Sequence, residues 1–152
     1  MKYLFDTNTV SDLFSEDSAE FDSINARLSS LKDEDQIFVS VLTVYELEYG
    51  YANALDSAKQ IVRNKIDRML TNFGVLDLHP EGAGLFGEIK KKVVESRNLK
   101  KDQAKKHTVD IMLVVTALLE SCTLVSSDKI YPDIQRLYSD FKYQNWLIIP
   151  SY

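Results

Sequence analysis

The sequence predicts an α/β fold, with a central, mainly parallel sheet of four to five strands flanked by helices. Two observations predict it. Short apolar, β-branched runs alternate along the chain with longer segments whose apolar residues recur every three or four positions, the order that builds strand–helix–strand units. One helical segment, Val109–Ser121, is apolar nearly all round, as a helix buried within a layered fold must be.

Lys2–Phe5 is a short apolar run and the first expected strand. Thr7–Phe14 follows as a short helix with Thr7 or Asn8 available as its cap. In Ser18–Leu31, Phe21, Ile24, Leu28 and Leu31 keep the helical period. Ile37–Val41 is the second strand, followed by Thr43 as a cap and a helix through Glu48. Ala54–Phe73 sets Ile61, Ile66, Met69 and Leu70 near one face of a long helix, and Val75–Leu78 is a third strand. Pro80–Ser96 is helical, with Leu85, Ile89 and Val93 four apart. Asn98–His107 is polar and reads as a loop before Val109–Ser121. Thr123–Ser126 is the fourth strand, Ile130–Phe141 a helix and Trp146–Ile149 a last strand. With no repeat, low-complexity run or Pro/Gly-rich linker, one domain is expected over residues 1–152.

Composition narrows the class. The chain is 45% hydrophobic and 27% charged, which excludes a disordered tail, a collagen-like chain and a disulfide scaffold. The lone Cys122 fits a reducing compartment. No apolar start resembles a signal peptide, and the longest apolar stretch falls far short of the roughly 20 residues of a membrane helix. A cytoplasmic protein without membrane contact is expected. Net charge is −5, yet residues 88–107 carry eight basic and three acidic side chains, a local +5 able to meet phosphates.

Ligands of open parallel sheets bind beyond the carboxyl ends of the strands. Asp6 and Asp128 follow the first and fourth strands. Glu46 lies early in the helix after the second, and Asp110 opens the apolar helix. Each has an ordinary local account, as a cap, a turn residue, a dipole partner or a surface acid. Their joint occurrence at one sheet edge points further. Clustered carboxylates repel, and a hard divalent cation, magnesium or manganese, relieves the repulsion. Such an ion lowers the pKa of bound water and stabilises charge on a phosphoryl oxygen. His79 and His107 have no zinc-type spacing with Cys122, and there is no Ser/His/Asp set or Walker-type glycine loop. A metal-dependent phosphodiester hydrolase uses all four acids.

The motifs resemble those of the PIN-domain family. Tyr3-Leu4-Phe5-Asp6-Thr7-Asn8 is similar to its opening strand ending in Asp-Thr-Asn. Val39 to Gly50, with Glu46-Leu47 inside it, resembles its second motif. Asp110 to Leu118 resembles the third, an acid opening an apolar helix, and Leu124-Val125-Ser126-Ser127-Asp128 the fourth. Order and spacing match across nearly the whole chain, and the nearest subgroup is the VapC-like toxins of toxin–antitoxin pairs.

The resemblance implies a PIN-like fold, magnesium- or manganese-dependent endoribonuclease activity and inhibition by a small antitoxin. It makes Asp6, Glu46, Asp110 and Asp128 the catalytic, metal-binding set, with Asn8 and Ser126 orienting them. Lys100, Lys101, Lys105 and Lys106, within ten residues of Asp110, are expected to guide the RNA backbone. Self-pairing as a homodimer is expected through apolar and aromatic residues left exposed near Phe14, Phe21, Tyr49 and Tyr51. Two features depart from the family pattern. Val114 and Val115 stand where many relatives have alanine, and a Lys-rich segment replaces a Gly-containing lead-in to the third motif. The alternatives are a haloacid-dehalogenase-like phosphatase and a non-catalytic PIN-like RNA-binding module. The phosphatase reading rests on Asp6-Thr7-Asn8-Thr9-Val10 but lacks a second Asp at position 8 and a later acidic pair.

Overall fold

A computed structural model describes residues 1–147. Strands β1 (Lys2–Phe5), β2 (Gln36–Ser40), β3 (Gly74–Leu76), β4 (Thr123–Val125) and β5 (Lys142–Gln144) form one sheet in the order β3-β2-β1-β4-β5. Every neighbouring pair is parallel. Helices α1 (Thr7–Leu13), α2 (Ala19–Ser29), α3 (Val41–Asn53) and α4 (Asp56–Asn72) precede β3, and a 3₁₀ turn (Pro80–Gly82) leads into α5 (Ala83–Arg97). Then come α6 (Lys101–Lys106), α7 (Thr108–Leu119) and, after β4, α8 (Ile130–Leu137). The strand order reverses between β1 and β4, and that switch point opens a crevice at the carboxyl ends of those two strands.

The strand period of two feeds two cores. On β1, Leu4 joins Ile89, Val93, Ile111, Val114 and Ile134 from α5, α7 and α8. Its neighbours Tyr3 and Phe5 turn the other way, to Val10, Leu13, Ile24 and Met69 from α1, α2 and α4. Both faces are covered, as a parallel sheet requires. Helix α7 buries Ile111, Leu113, Val114, Val115, Thr116 and Ala117, in keeping with its all-round apolar character. The larger Val115 is accommodated by the residue opposite it. A Cβ on Gly82 would come within 2.5 Å of Val115 Cγ1, so the glycine makes room for the branched side chain.

Several expected boundaries move. Ser40, not Thr43, caps α3: its Oγ accepts from Leu42 N at 3.1 Å, so Val41 is already helical. The helix runs past Glu48 to Asn53, and α4 begins at Asp56. The polar segment Asn98–His107 is not a loop. Asn98 ends α5 in the left-handed conformation (φ 49°), and Lys101–Lys106 form α6. Asp102 sits in the first turn of α6 and Lys105 and Lys106 in its last, as the helix dipole favours, so a helix without an apolar stripe still forms. Among the described residues the last strand is Lys142–Gln144, ahead of the expected Trp146–Ile149. Trp146 and Leu147 form a turn, and residues 148–149 lie outside the described residues. Parallel pairing with β4 selects this polar run, while Trp146 turns back to meet Tyr3 and Phe5 edge-on at 5.2 and 5.1 Å.

Phe14, Phe21 and Tyr51 do not supply the exposed aromatic surface expected of them. Phe14 is buried beside Phe73. Phe21 is half-buried against the second core, and Tyr51 is half-buried beneath the Arg63 guanidinium at 4.2 Å. On α3 it is Tyr45 and Tyr49, one turn apart, that face solvent. Among the described residues no helix is long and apolar enough to cross a membrane.

Candidate active site

Chain geometry brings the acids together. β1 ends at Phe5 and α1 begins at Thr7, so Asp6 stands between strand and helix at the switch point. Its Oδ1 accepts from Thr9 N at 2.8 Å, capping α1, while Oδ2 accepts from the Ser126 hydroxyl just beyond β4. Ser126 Oγ also accepts from Asp128 N at 3.0 Å, and Asp128 Oδ1 accepts from Ile130 N at 3.1 Å. The ordinary roles of Asp6 as a cap and of Asp128 as a turn residue are therefore real, and they hold the two acids at adjoining strand ends. Asp110 lies in the first turn of α7. Glu46 projects from α3, near Thr7, whose hydroxyl also reaches the Thr43 hydroxyl at 3.2 Å.

These elements enclose an open cleft of about 230 Å³. Asp6, Glu46, Asp110 and Asp128 line it, with Thr7, Asn8, Lys106, Val109 and Leu113. Asn8 is exposed on the wall, with no side-chain hydrogen bond to an acid among the described residues. Lys106 reaches the cleft from the end of α6. Lys100, Lys101 and Lys105 are exposed and do not line it.

The electrostatics are those of crowded carboxylates. Burial pushes the Asp6 carboxyl above its ordinary pKa, against hydrogen bonds from Ser126 and Thr9, and the Asp110 charge adds to the rise. Glu46 is raised by burial, opposed by the Thr7 hydrogen bond, and raised further by Asp110 and Asp6. Burial likewise raises Asp110, the His107 hydrogen bond opposes it, and the Asp128 charge raises it again. Three acids thus carry a free-energy penalty for ionising that a cation would remove.

The donor set suits a hard ion. Among the described residues no three of the His, Cys, Asp or Glu side chains are arranged to enclose one as they stand. Magnesium does not require such a cage, being held through one or two carboxylates, several waters and substrate phosphates. Carboxylates around an open cleft fit that mode, and soft sulfur ligands are not among the lining residues.

The profile of the PIN domain family matches residues 3–137. The chain belongs to the PIN-domain family. That membership removes the phosphatase alternative. No curated protein matches significantly. Among solved structures, the PIN-domain chain is similar to one in VapBC2 from Rickettsia felis bound to a DNA fragment from its promoter. That match has a TM-score of 0.75 and 22% identity, covering 96% of this chain and 99% of the other. VapBC-1 from nontypeable Haemophilus influenzae aligns with a TM-score of 0.73 at 20% identity, over 97% and 100% of the two chains. VapC20 from Mycobacterium tuberculosis, a Sarcin-Ricin loop cleaving toxin, aligns with a TM-score of 0.59 at 12% identity, over 90% and 95%. At such identities these likenesses establish the fold.

Three residues beside the cleft acids were not anticipated from the sequence. Thr7 stands beside Glu46 on the cleft wall and donates to the Thr43 hydroxyl at 3.2 Å. His107 Nδ1 lies 3.1 Å from Asp110 Oδ2. Its spacing three residues before Asp110 was a readable signal, because such pairs share a helix face. Tyr131 donates to Asp110 Oδ1 at 3.4 Å, and nothing in its sequence neighbourhood marks it as more than a core aromatic. Burial, then the charges of Asp110, Asp6 and Asp128, hold the Tyr131 phenol well above its ordinary pKa, so it stays a donor.

Proposed function

We propose that this PIN-domain protein is a magnesium- or manganese-dependent endoribonuclease and the toxin of a toxin–antitoxin pair. The observation that carries the reading is the convergence of Asp6, Glu46, Asp110 and Asp128, from four separate segments, on one cleft. These carboxylates would hold the ion, which when bound supplies a water of lowered pKa and charge neutralisation at the phosphate. Ser126 holds Asp6 against rotation by donating to Oδ2, and Thr7 stands beside Glu46 on the cleft wall. Asn8 offers an amide to the carboxylates or the substrate from the cleft wall. Lys106 meets an RNA phosphate at the cleft, and Lys100, Lys101 and Lys105 extend that path along α6. Scissile-bond orientation therefore falls to α6 and the acids together.

Chelation tests the reading directly. EDTA abolishes RNA cleavage by the purified protein, and manganese or magnesium in excess restores it. Full cleavage in EDTA would falsify the metal dependence. Absence of cleavage under every metal condition, with RNA still bound, would favour the non-catalytic RNA-binding module.

The partner assignment follows the neighbours, which are VapBC toxin–antitoxin assemblies. An antitoxin segment carrying Arg or Lys would pair with the acid cluster by charge-assisted hydrogen bonds. Unopposed expression in a bacterial host is expected to arrest growth, and Asp110→Asn to relieve the arrest. Undisturbed growth with the wild-type protein at confirmed expression would exclude a toxin role in that host. A homodimer completes the proposal. Light scattering at rising concentration checks it, and a monomer throughout would exclude it.

A further inference from the structure

The Asp110 carboxylate is contacted at both oxygens by side chains from different elements. His107 Nδ1, at the start of α7, lies 3.1 Å from Oδ2. The Tyr131 hydroxyl, on α8, donates to Oδ1 at 3.4 Å. That bond is long for an O–H···O contact, as is common at sites that tighten when occupied. Tyr131 has 0% of its surface exposed, so it cannot touch a substrate. Its ring is fixed by Phe141 and Tyr143, with centroids 6.3 and 6.1 Å away.

Packing accounts for the ring but not for the hydroxyl. A phenylalanine would fill the same space without the cost of desolvating an O–H group. Among the described residues Asp110 is the hydrogen-bond partner that offsets this cost. The phenol also connects two parts of the acid cluster. Tyr131 lies one residue past Ile130, whose N–H donates to Asp128 Oδ1 at 3.1 Å, so α8 contacts Asp110 and Asp128 through adjacent residues.

We propose that Tyr131 is a positioning residue: its hydroxyl, opposed by His107, fixes the rotation of the Asp110 carboxylate and its setting relative to Asp128 for binding a divalent cation. The inference rests on the metal-site reading above. Outer partners of metal-binding carboxylates typically change affinity by about 10- to 100-fold when removed.

Manganese binding to the metal-free full-length protein, followed by the electron paramagnetic resonance of free Mn²⁺, tests both ideas separately. Asp110→Asn loses most of the binding. Tyr131→Phe weakens it by about 10-fold and lowers kcat while KM for RNA is unchanged. Its thermal midpoint and circular dichroism match the wild type, because the ring is retained. His107→Ala weakens manganese binding as well, and it carries the test should Tyr131→Phe not fold. Wild-type affinity in folded Tyr131→Phe, or in His107→Ala, beside an impaired Asp110→Asn overturns the two-sided positioning and leaves the metal site standing. Wild-type affinity in Asp110→Asn itself overturns the metal-site reading and this inference with it.

Discussion

Asp6→Asn is expected to lower the RNA cleavage rate by roughly 10³, while the metal-free variant melts at a higher temperature than the wild type. The rate effect is the loss of several kcal/mol of stabilisation by the ion, at 1.36 kcal/mol per tenfold. The gain in stability has a separate cause. Asp6 is only 5% exposed, and its carboxylate ionises against burial and the charge of Asp110. Asparagine keeps an oxygen for Thr9 N, so α1 stays capped, and its amide can donate to the Ser126 oxygen. Cleavage assays at saturating manganese and thermal melts in EDTA read the two effects. A lower melting temperature for the variant, or wild-type cleavage, would contradict the assignment of Asp6.

The same shifts give the wild type a pH signature. Asp6, Glu46 and Asp110 have folded-state pKa values above their ordinary values of 3.8, 4.5 and 3.8. Between the ordinary and raised values the native state holds more protons than the unfolded chain. Stability of the metal-free protein therefore falls as pH rises through that window, and the full penalty is present above it. At the acid end the sign reverses. Asp35 beside the Met1 amino group, Glu48 beside Arg63 and Asp133 beside Arg97 are lowered, so their contributions disappear as pH falls through their folded values. The metal-free protein is therefore expected to lose stability in both directions, toward neutral pH through the crowded acids and toward strongly acidic pH through the lost ion pairs. On the metal-site proposal, excess manganese is expected to raise the melting temperature at neutral pH.

The alternation of apolar runs and helical periods made the layered sheet legible, because burial of both faces of a parallel sheet writes itself into Leu4, Val39, Leu124 and the apolar α7. The two polar elements, α6 and β5, were not legible. Lys101–Lys106 is helical through end charges and its junction with α7, and Lys142–Gln144 is a strand because β4 offers it a free edge. Neither leaves a hydrophobic period. Within the site Asp6, Asp110 and Asp128 were legible because each sits at a strand end or helix start, and Glu46 because it lies early in the helix that follows β2. Pairings between distant segments were harder to anticipate. Ser126 to Asp6 spans 120 residues and Tyr131 to Asp110 spans 21, and such pairings depend on which strands become neighbours.

Replacing Lys100, Lys101, Lys105 and Lys106 together by alanine is expected to weaken binding of many RNAs alike and to flatten its salt dependence. Each lysine–phosphate pair removed from a single-stranded RNA complex reduces the slope of log affinity against log salt by about 0.7, so four such pairs account for a change of about 3. The four lysines should not contribute equally. Lys106 lines the acid cleft, whereas Lys101 and Lys105 lie further back on α6, and Lys105 is within 3.9 Å of an Asp102 oxygen. Lys106→Ala alone is therefore expected to reduce kcat/KM more than any other single change in the set, with most of its effect near the scissile phosphate. The other three act mainly through affinity, because phosphate interactions away from the reacting centre fix register and carry little sequence information. Manganese affinity stays near the wild-type value in the quadruple variant, since an ammonium group cannot ligate a hard cation. Binding and cleavage measured from low to moderate salt discriminate this role from simple solvation of an exposed helix. A quadruple variant with wild-type kinetics throughout that range assigns α6 to solubility, and the path of the RNA must then be sought on another wall of the cleft.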